Sequence, residues 1–222
     1  MRKGALTLAL MIALSYSPPV SSTVPADAAS YIEGLGARAV TLLNQPNQTS
    51  EAKEAQVRSL LAENFDLDGI GQFVVGRYWD TMSNHQRTTY LDIFREFVLR
   101  SYSHRFGGYS GSQFTVTGSQ PAGRNDVIVS TQIHRPEDRK FEAGWRVSTQ
   151  DGQPKIVDVI ISGVSMAMTQ RSDFTTVIRR DGVDGLISRL RSQLAGLQHL
   201  GPKPQSSLDA PSVMGLFGVG LK

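Results

Sequence analysis

A serine flanked by small residues follows an apolar stretch late in the chain. Residues 155–161, KIVDVII, are rich in β-branched side chains that favour a strand, and Gly163 permits a sharp turn after it. The segment Gly163–Ala167, GVSMA, therefore resembles the nucleophile elbow of serine hydrolases. Such an enzyme places its acid and its histidine after the serine, and only His199 follows Ser165. We interpret Ser165 as the N-cap of the following helix.

Asp158 interrupts the apolar run of that strand, and its position is compatible with two roles. A buried carboxylate can act as a general base, as in small α+β isomerases with a cone-shaped pocket. A strand carboxylate more commonly faces solvent or pairs with a cation, here Arg171 or Arg146. We favour the structural role. A small enzyme with Asp158 as its base is kept as the alternative.

Composition excludes several other kinds of site. The 222 residues include no cysteine, which excludes a thiol nucleophile and a cysteine-ligated zinc. The histidines are scattered, and no histidine or carboxylate pair has a familiar zinc spacing, so we expect no metal and no cofactor. The net charge of +3 comes without a block of Lys or Arg, so we expect no nucleic-acid partner.

The N-terminus has the pattern of an export signal. Met1–Lys3 is basic, and the apolar run Ala5–Tyr16 is too short to span a bilayer. Ala26–Ala28 then offers a cleavage site with small residues at its first and third positions. We therefore expect a signal peptide over residues 1–28 and, if the source is a Gram-negative bacterium, a periplasmic protein.

The rest of the chain divides into one domain and a tail. Helical periodicity appears on both sides of a central strand region, and Ser83 with Gln86 forms a capping box before the longest helix. We expect a single domain over residues 29–200. Residues 201–222 are rich in Pro, Ser and Gly, and we expect them to form a flexible tail.

Between Phe114 and Ile161 the apolar period changes to two, which predicts four strands. Short turns such as Asp151-Gly152 join them into an antiparallel meander with one apolar face. Helices followed by strands and then by helices define an α+β domain. We expect the C-terminal helices to cover one face of a curved sheet. An apolar pocket remains there if the helices do not fill the concave surface.

Several motifs, taken in order, resemble the MlaC / toluene-tolerance family. The resemblance extends over roughly residues 31–197 and implies that the pocket is of the cone-shaped, nuclear-transport-factor-like type. The motifs are Phe73–Trp79 (FVVGRYW), Phe94 and Phe97 with Tyr102, Asp158-Val159 with Gly163-Val164-Ser165, Arg171-Ser172-x-Phe174, and Gly182.

The resemblance implies a non-enzymatic periplasmic carrier that serves outer-membrane lipid asymmetry. Members of that family move phospholipid between an outer-membrane lipoprotein–porin complex and an inner-membrane ABC transporter with an MCE-domain subunit. The acyl chains lie in an apolar pocket, where each buried CH₂ contributes about 0.8 kcal/mol, and the head group stays near solvent. Some members are associated with hopanoid biosynthesis, so a hopanoid-related lipid carrier is the alternative within this class.

The expected lipid-binding residues combine inward strand positions with positions on two helices. Their direction follows from periodicity, and a slip of one residue would reverse every strand position. We expect Val129→Trp to block lipid uptake while the fold stays intact, and we expect Arg171 to be a structural ion-pair partner. The candidate lipid-binding residues are Phe94, Val98, Tyr102, Val127, Val129, Phe141, Ala143, Trp145, Val157, Val159, Val164 and Met168.

Overall fold

The computed structural model describes residues 24–106, 113–135, 139–150 and 152–198. Within these ranges no helix combines the length and the apolar character needed to cross a bilayer. Of the expected signal peptide only residues 24–28 are described, and the expected tail lies outside the described residues. The helices are α1 (Val24–Leu43), α2 (Ser50–Asn64), α3 (Leu67–Val75), a 3-10 helix (Gly76–Thr81), α4 (Asn84–Phe106) and α5 (Met166–Gln198).

The strands form one antiparallel sheet with the order β1-β2-β3-β4-β5. The α+β class is confirmed, but the sheet has five strands where four were expected. The fifth has only two residues and pairs with the end of β4, too short for an alternating pattern to reveal it. The strands are β1 (Gln113–Pro121), β2 (Asp126–Arg135), β3 (Arg139–Ser148), β4 (Lys155–Ile161) and β5 (Val164–Ser165).

Cross-strand pairing defines an inner, largely apolar face of the sheet. A bulge in β4 shifts its register, so that Ile156, and not the expected Val157, lies opposite Val147 and is fully buried. The outer face carries Ile128, Arg146 and Asp158 instead. The rows of the inner face are Val127–Val147–Ile156, Val129–Trp145–Val159, Thr131–Ala143–Ile161 and Ile133–Phe141.

The buried apolar side chains of the described residues form three separate clusters. The sheet cluster joins Ala28 and Ile32 of α1 to the first rows of the inner face, around Val127 and Val129. A helical cluster joins α3, α4 and α5, and a smaller one joins α1 to α2. Helix α1 thus covers part of the inner face, whereas the C-terminal helices were expected to cover it.

The packing of the elements closes a ring. Strands β1 and β2 pack on α1, and α1 packs on α2. Helix α2 packs on α4, α4 packs on α5, and α5 packs on β4 of the same sheet. No strand is among the main packing partners of α4, which therefore lies across the ring from the sheet. Asp66 donates its N–H to the carbonyl of Ile156 at 3.0 Å and fixes the α2–α3 connection to the sheet.

Helix α5 contains a break at Gly182, where φ is 74° and ψ is 179°. This conformation is almost closed to residues with a Cβ atom, so the sequence requires glycine there. The expectation of two helices after the sheet is confirmed by this break.

We expect Gly182→Ala to lower the free energy of unfolding by about 1–3 kcal/mol because of this backbone strain. The matched control is Gly196→Ala, which lies in helical backbone of α5 with open space where its Cβ would stand. That variant should be neutral or slightly stabilising. Urea unfolding of both variants measures the difference, and equal effects would contradict the assignment of strain to Gly182.

Candidate functional site

The elbow-like segment around Ser165 is a helix cap. The Ser165 hydroxyl donates to the Asp158 carboxylate at 2.5 Å, and its oxygen accepts the N–H of Met168 at 3.1 Å. A second oxygen of Asp158 accepts the N–H of Ala167 at 2.9 Å. The N-cap interpretation of Ser165 is confirmed. The pairing of Asp158 with a cation is wrong, because Asp158 instead satisfies the first turn of α5 and Arg146 pairs with Asp126 at 2.7 Å.

Asp158→Ala should lower the free energy of unfolding by about 1–2 kcal/mol, because the first turn of α5 loses its carboxylate acceptor. Lipid occupancy of the purified protein should not change, since the carboxylate lies on the outer face of the sheet. Denaturant unfolding and lipid extraction of the same sample measure the two quantities. A variant with unchanged stability and lost occupancy would give Asp158 a role in the site.

The inner face of the sheet remains apolar beyond the part that α1 covers. Its polar atoms bond to each other: Trp145 donates Nε1–H to Thr131 Oγ1 at 2.9 Å, and Thr131 donates to the carbonyl of Ala143 at 3.0 Å. Thr131 is buried, so these bonds remove the cost of burying its hydroxyl. The rows that end in Ile161 and Phe141 therefore present hydrocarbon to the interior of the ring.

We take the second half of α4, across the ring from the sheet, as the opposite wall of this interior; its Val98 packs against the helical cluster and its Tyr102 against the α1–α2 cluster. Val98 and Tyr102 are four residues apart, so they share one side of that helix, and both are half-buried. Ile133, Ala143 and Ile161 of the inner face belong to none of the three apolar clusters of the described residues. The region between these two walls is the candidate functional site, and we call it the interior site.

Half of the expected lipid-binding residues lie on the two walls that define the interior site. Those that border the interior site are Val98, Tyr102, Phe141, Ala143, Trp145 and Val159. Their contact with a lipid stays a prediction.

The remaining expected residues lie elsewhere. Phe94 is buried in the helical cluster, and Val127 and Val129 are buried beneath α1 in the sheet cluster. Val157 lies at the bulge of β4, where Ile156 takes the buried position. Val164 and Met168 are on the surface, with 42% and 55% of their area exposed, because the capped turn directs the start of α5 outward.

The burial of Val129 changes the expected result of Val129→Trp. Val129 has no exposed area and contacts the cluster that includes Ala28 and Ile32. A tryptophan there would overpack the core and destabilise the fold, so this substitution cannot separate lipid binding from folding. Ile133 and Ile161 are better positions for a substitution that tests lipid binding. Neither was among the expected lipid-binding residues. Counting every second residue of β2 from Val127 as inward would have included Ile133.

A concave region lies between α1 and α2, and none of its lining residues belongs to the interior site. It is an open groove of about 540 Å³. Arg38 and Glu63 pair across it at 3.1 Å, and hydroxyl and amide side chains form much of the remaining wall. Acyl chains need an apolar environment, which this groove does not provide. Its lining residues are Ala37, Arg38, Thr41, Leu42, Gln45, Gln56, Ser59, Leu60 and Glu63.

The fold is shared with a phospholipid-binding protein from Ralstonia solanacearum, whose crystal structure at 1.53 Å holds a phospholipid. The TM-score is 0.68 at 20% sequence identity, and the match covers 77% of this chain and 98% of the other. The two chains therefore share one architecture.

The chain belongs to the MlaC family, whose profile, described as MlaC protein, matches residues 35–192. The chain is also similar to the intermembrane phospholipid transport system binding protein MlaC of Haemophilus influenzae, with 24% identity over 141 residues. That match covers 61% of this chain and 65% of the relative's length. The resemblance read from the motifs is thereby confirmed.

Proposed function

We propose that this protein is an exported carrier that holds one phospholipid with its acyl chains in the interior site. The observation that carries the proposal is the divided core. The described residues form three apolar clusters, and Ile133, Ala143 and Ile161 of the apolar inner face belong to none of them. A ligand made of hydrocarbon chains would complete that core, since each buried CH₂ contributes about 0.8 kcal/mol.

Family membership supports the same conclusion. The Haemophilus influenzae relative is named for intermembrane phospholipid transport, and the structurally similar Ralstonia solanacearum protein has a phospholipid bound. We extend these properties to this chain as part of the proposal. The lipid head group would remain at the solvent-exposed rim, where its charge stays hydrated.

Transport requires that the carrier reach two membranes. We infer that residues 1–28 direct export and that residues 29–200 act in the periplasm, with residues 201–222 as a flexible tail. The carrier would exchange lipid with an inner-membrane ABC transporter through its MCE-domain subunit and with an outer-membrane lipoprotein–porin complex. This exchange would maintain the lipid asymmetry of the outer membrane.

The proposal assigns no catalytic step to the protein. The carboxylate considered as a general base, Asp158, already accepts hydrogen bonds from Ser165 and from the N–H of Ala167. Its position on the outer face separates it from the interior site. The remaining alternative concerns the ligand, because a hopanoid-related lipid would also fit a hydrocarbon environment.

Native mass spectrometry of the protein purified from a bacterial periplasm, followed by lipid extraction, tests the proposal. We expect a bound mass near one-to-one occupancy that corresponds to a diacyl phospholipid. A polycyclic mass would replace the phospholipid with a hopanoid. A protein with no bound lipid that also takes up none from phospholipid vesicles would contradict the carrier function.

A further inference from the structure

Three large apolar side chains, on α3, β5 and α5, are exposed among the described residues. Val164, Met168 and Phe73 have 42%, 55% and 40% of their area exposed. Val164 lies in β5, immediately before α5, and Met168 and Arg171 are three residues apart near the start of α5, so Met168 and Arg171 share one side of that helix. Arg171 connects that side to α3, since its guanidinium lies 5.0 Å from the centre of the Phe73 ring.

Arginines of the 3-10 helix and of α5 accompany these side chains. Arg77 donates to the Tyr78 hydroxyl at 3.3 Å, and Arg179 of α5 lies close enough to that hydroxyl to help lower its pKa. The hydrogen bond from Arg77 is the main reason that the pKa of Tyr78 lies below its ordinary value. We call the surface formed by Phe73, Arg77, Tyr78, Val164, Met168, Arg171 and Arg179 the Phe73–Arg171 patch.

The positive charge of these arginines is the second feature of the patch. Among the described residues, Arg77, Arg171 and Arg179 form no salt bridge, whereas the neighbouring Asp181 is already paired with Arg180 at 2.8 Å. Arg171 was expected to be an ion-pair partner, and it packs on Phe73 and against Gly76 instead. The patch thus combines exposed apolar area with positive charge that no carboxylate of the described residues neutralises.

We propose that the Phe73–Arg171 patch is the surface through which this carrier docks on an acidic protein partner. Its composition favours a protein over a membrane, because protein interfaces are enriched in Arg, Met and aromatic residues and depleted in Lys. The patch contains all three favoured types and no lysine. The unpaired guanidinium groups complement carboxylates, and the exposed Phe73 and Met168 side chains supply apolar anchors.

The inference rests on the proposed function, and two variants with one control test it separately. Arg179→Glu reverses a charge of the patch, Phe73→Ser removes an apolar anchor, and Arg124→Glu reverses an exposed arginine in the β1–β2 turn. The probes are the purified soluble MCE domain and the purified lipoprotein component of the source bacterium, immobilised separately for interferometry. Lipid occupancy of each variant is measured by native mass spectrometry.

We expect Arg179→Glu and Phe73→Ser each to weaken binding to at least one probe by about tenfold or more. Arg124→Glu should bind like the wild type, and wild-type affinity should fall as salt rises. Lipid occupancy should be equal in all four proteins, so a failed docking result leaves the carrier function standing. Equal affinities for all variants, or no wild-type binding to either probe, would overturn the docking surface. Phosphatidylglycerol vesicles serve as a third probe, and variants that lose binding to the vesicles alone would also overturn the docking surface, in favour of a membrane surface.

Discussion

Replacing Ile133 with glutamate should remove most of the bound lipid. Ile133 lies on the inner face opposite Phe141, is half-buried, and belongs to none of the three clusters. A carboxylate there would be desolvated by an acyl chain, which costs several kcal/mol for an unpaired charge. Since about 1.4 kcal/mol corresponds to a factor of ten in affinity, occupancy at a fixed lipid supply should fall at least tenfold.

The matched control for this experiment is Ile128→Glu on the same strand. Ile128 is also half-buried, but it lies on the outer face opposite Arg146. Both variants should unfold within about 2 kcal/mol of the wild type, while only Ile133→Glu loses lipid in native mass spectra. Loss of lipid from both variants, or from neither, would contradict the placement of the acyl chains against the inner face.

The largest loss of stability should come from Phe174→Ala. Phe174 is 1% exposed, and its ring lies edge-on to Tyr90 at 6.4 Å and to Phe94 at 6.2 Å. Burial raises the pKa of Tyr90 well above its ordinary value, and its hydroxyl donates to the carbonyl of Gly71 at 2.9 Å. Removing the ring leaves a cavity at the junction of α3, α4 and α5, which should cost about 3–5 kcal/mol.

Phe73→Ala is the matched comparison, because the same atoms are deleted from a ring that is 40% exposed. It loses its contact with Arg171 but opens no cavity, so we expect a cost of about 1 kcal/mol or less. Urea unfolding monitored by circular dichroism gives both values. Similar losses for the two variants would show that the helical cluster is not the main source of stability.

Local signals in the sequence predicted local structure well. The capping box is present, since Gln86 donates its N–H to Ser83 Oγ at 3.2 Å and accepts the N–H of Ser83 at 3.0 Å. The Ser165 cap was also predicted correctly, because a cap depends on residues close in sequence. The α+β class followed from the change of period between helices and strands.

The arrangement of distant elements was less predictable. The bulge in β4 changes which side chains face inward, and alternation alone cannot show where a bulge falls. The outward position of Val164 and Met168 depends on the capped turn, and the burial of Phe94 depends on its contact with Phe174. The motifs identified the family, but motifs do not state which side of a helix faces the interior.

The packing partner of α1 was likewise not predictable from the sequence. Its apolar residues have helical spacing, which predicts a helix with one buried side but not its partner. In the structure Ile32 packs against the strands, so the first helix and not the last covers Val127 and Val129. Two expected lipid-binding residues are thus part of the core, and the proposed lipid contact falls on the Ile133–Phe141 end of the inner face.

Photo-crosslinking with a phospholipid that carries a diazirine near the end of one acyl chain tests the central claim most directly. The purified protein is loaded from vesicles, irradiated and digested, and the modified peptides are identified by mass spectrometry. We predict adducts on peptides from the inner face, around Ile133, Phe141 and Ile161, and on the peptide that contains Val98 and Tyr102. Adducts confined to the α1–α2 groove, or an even distribution over the surface, would contradict the interior site.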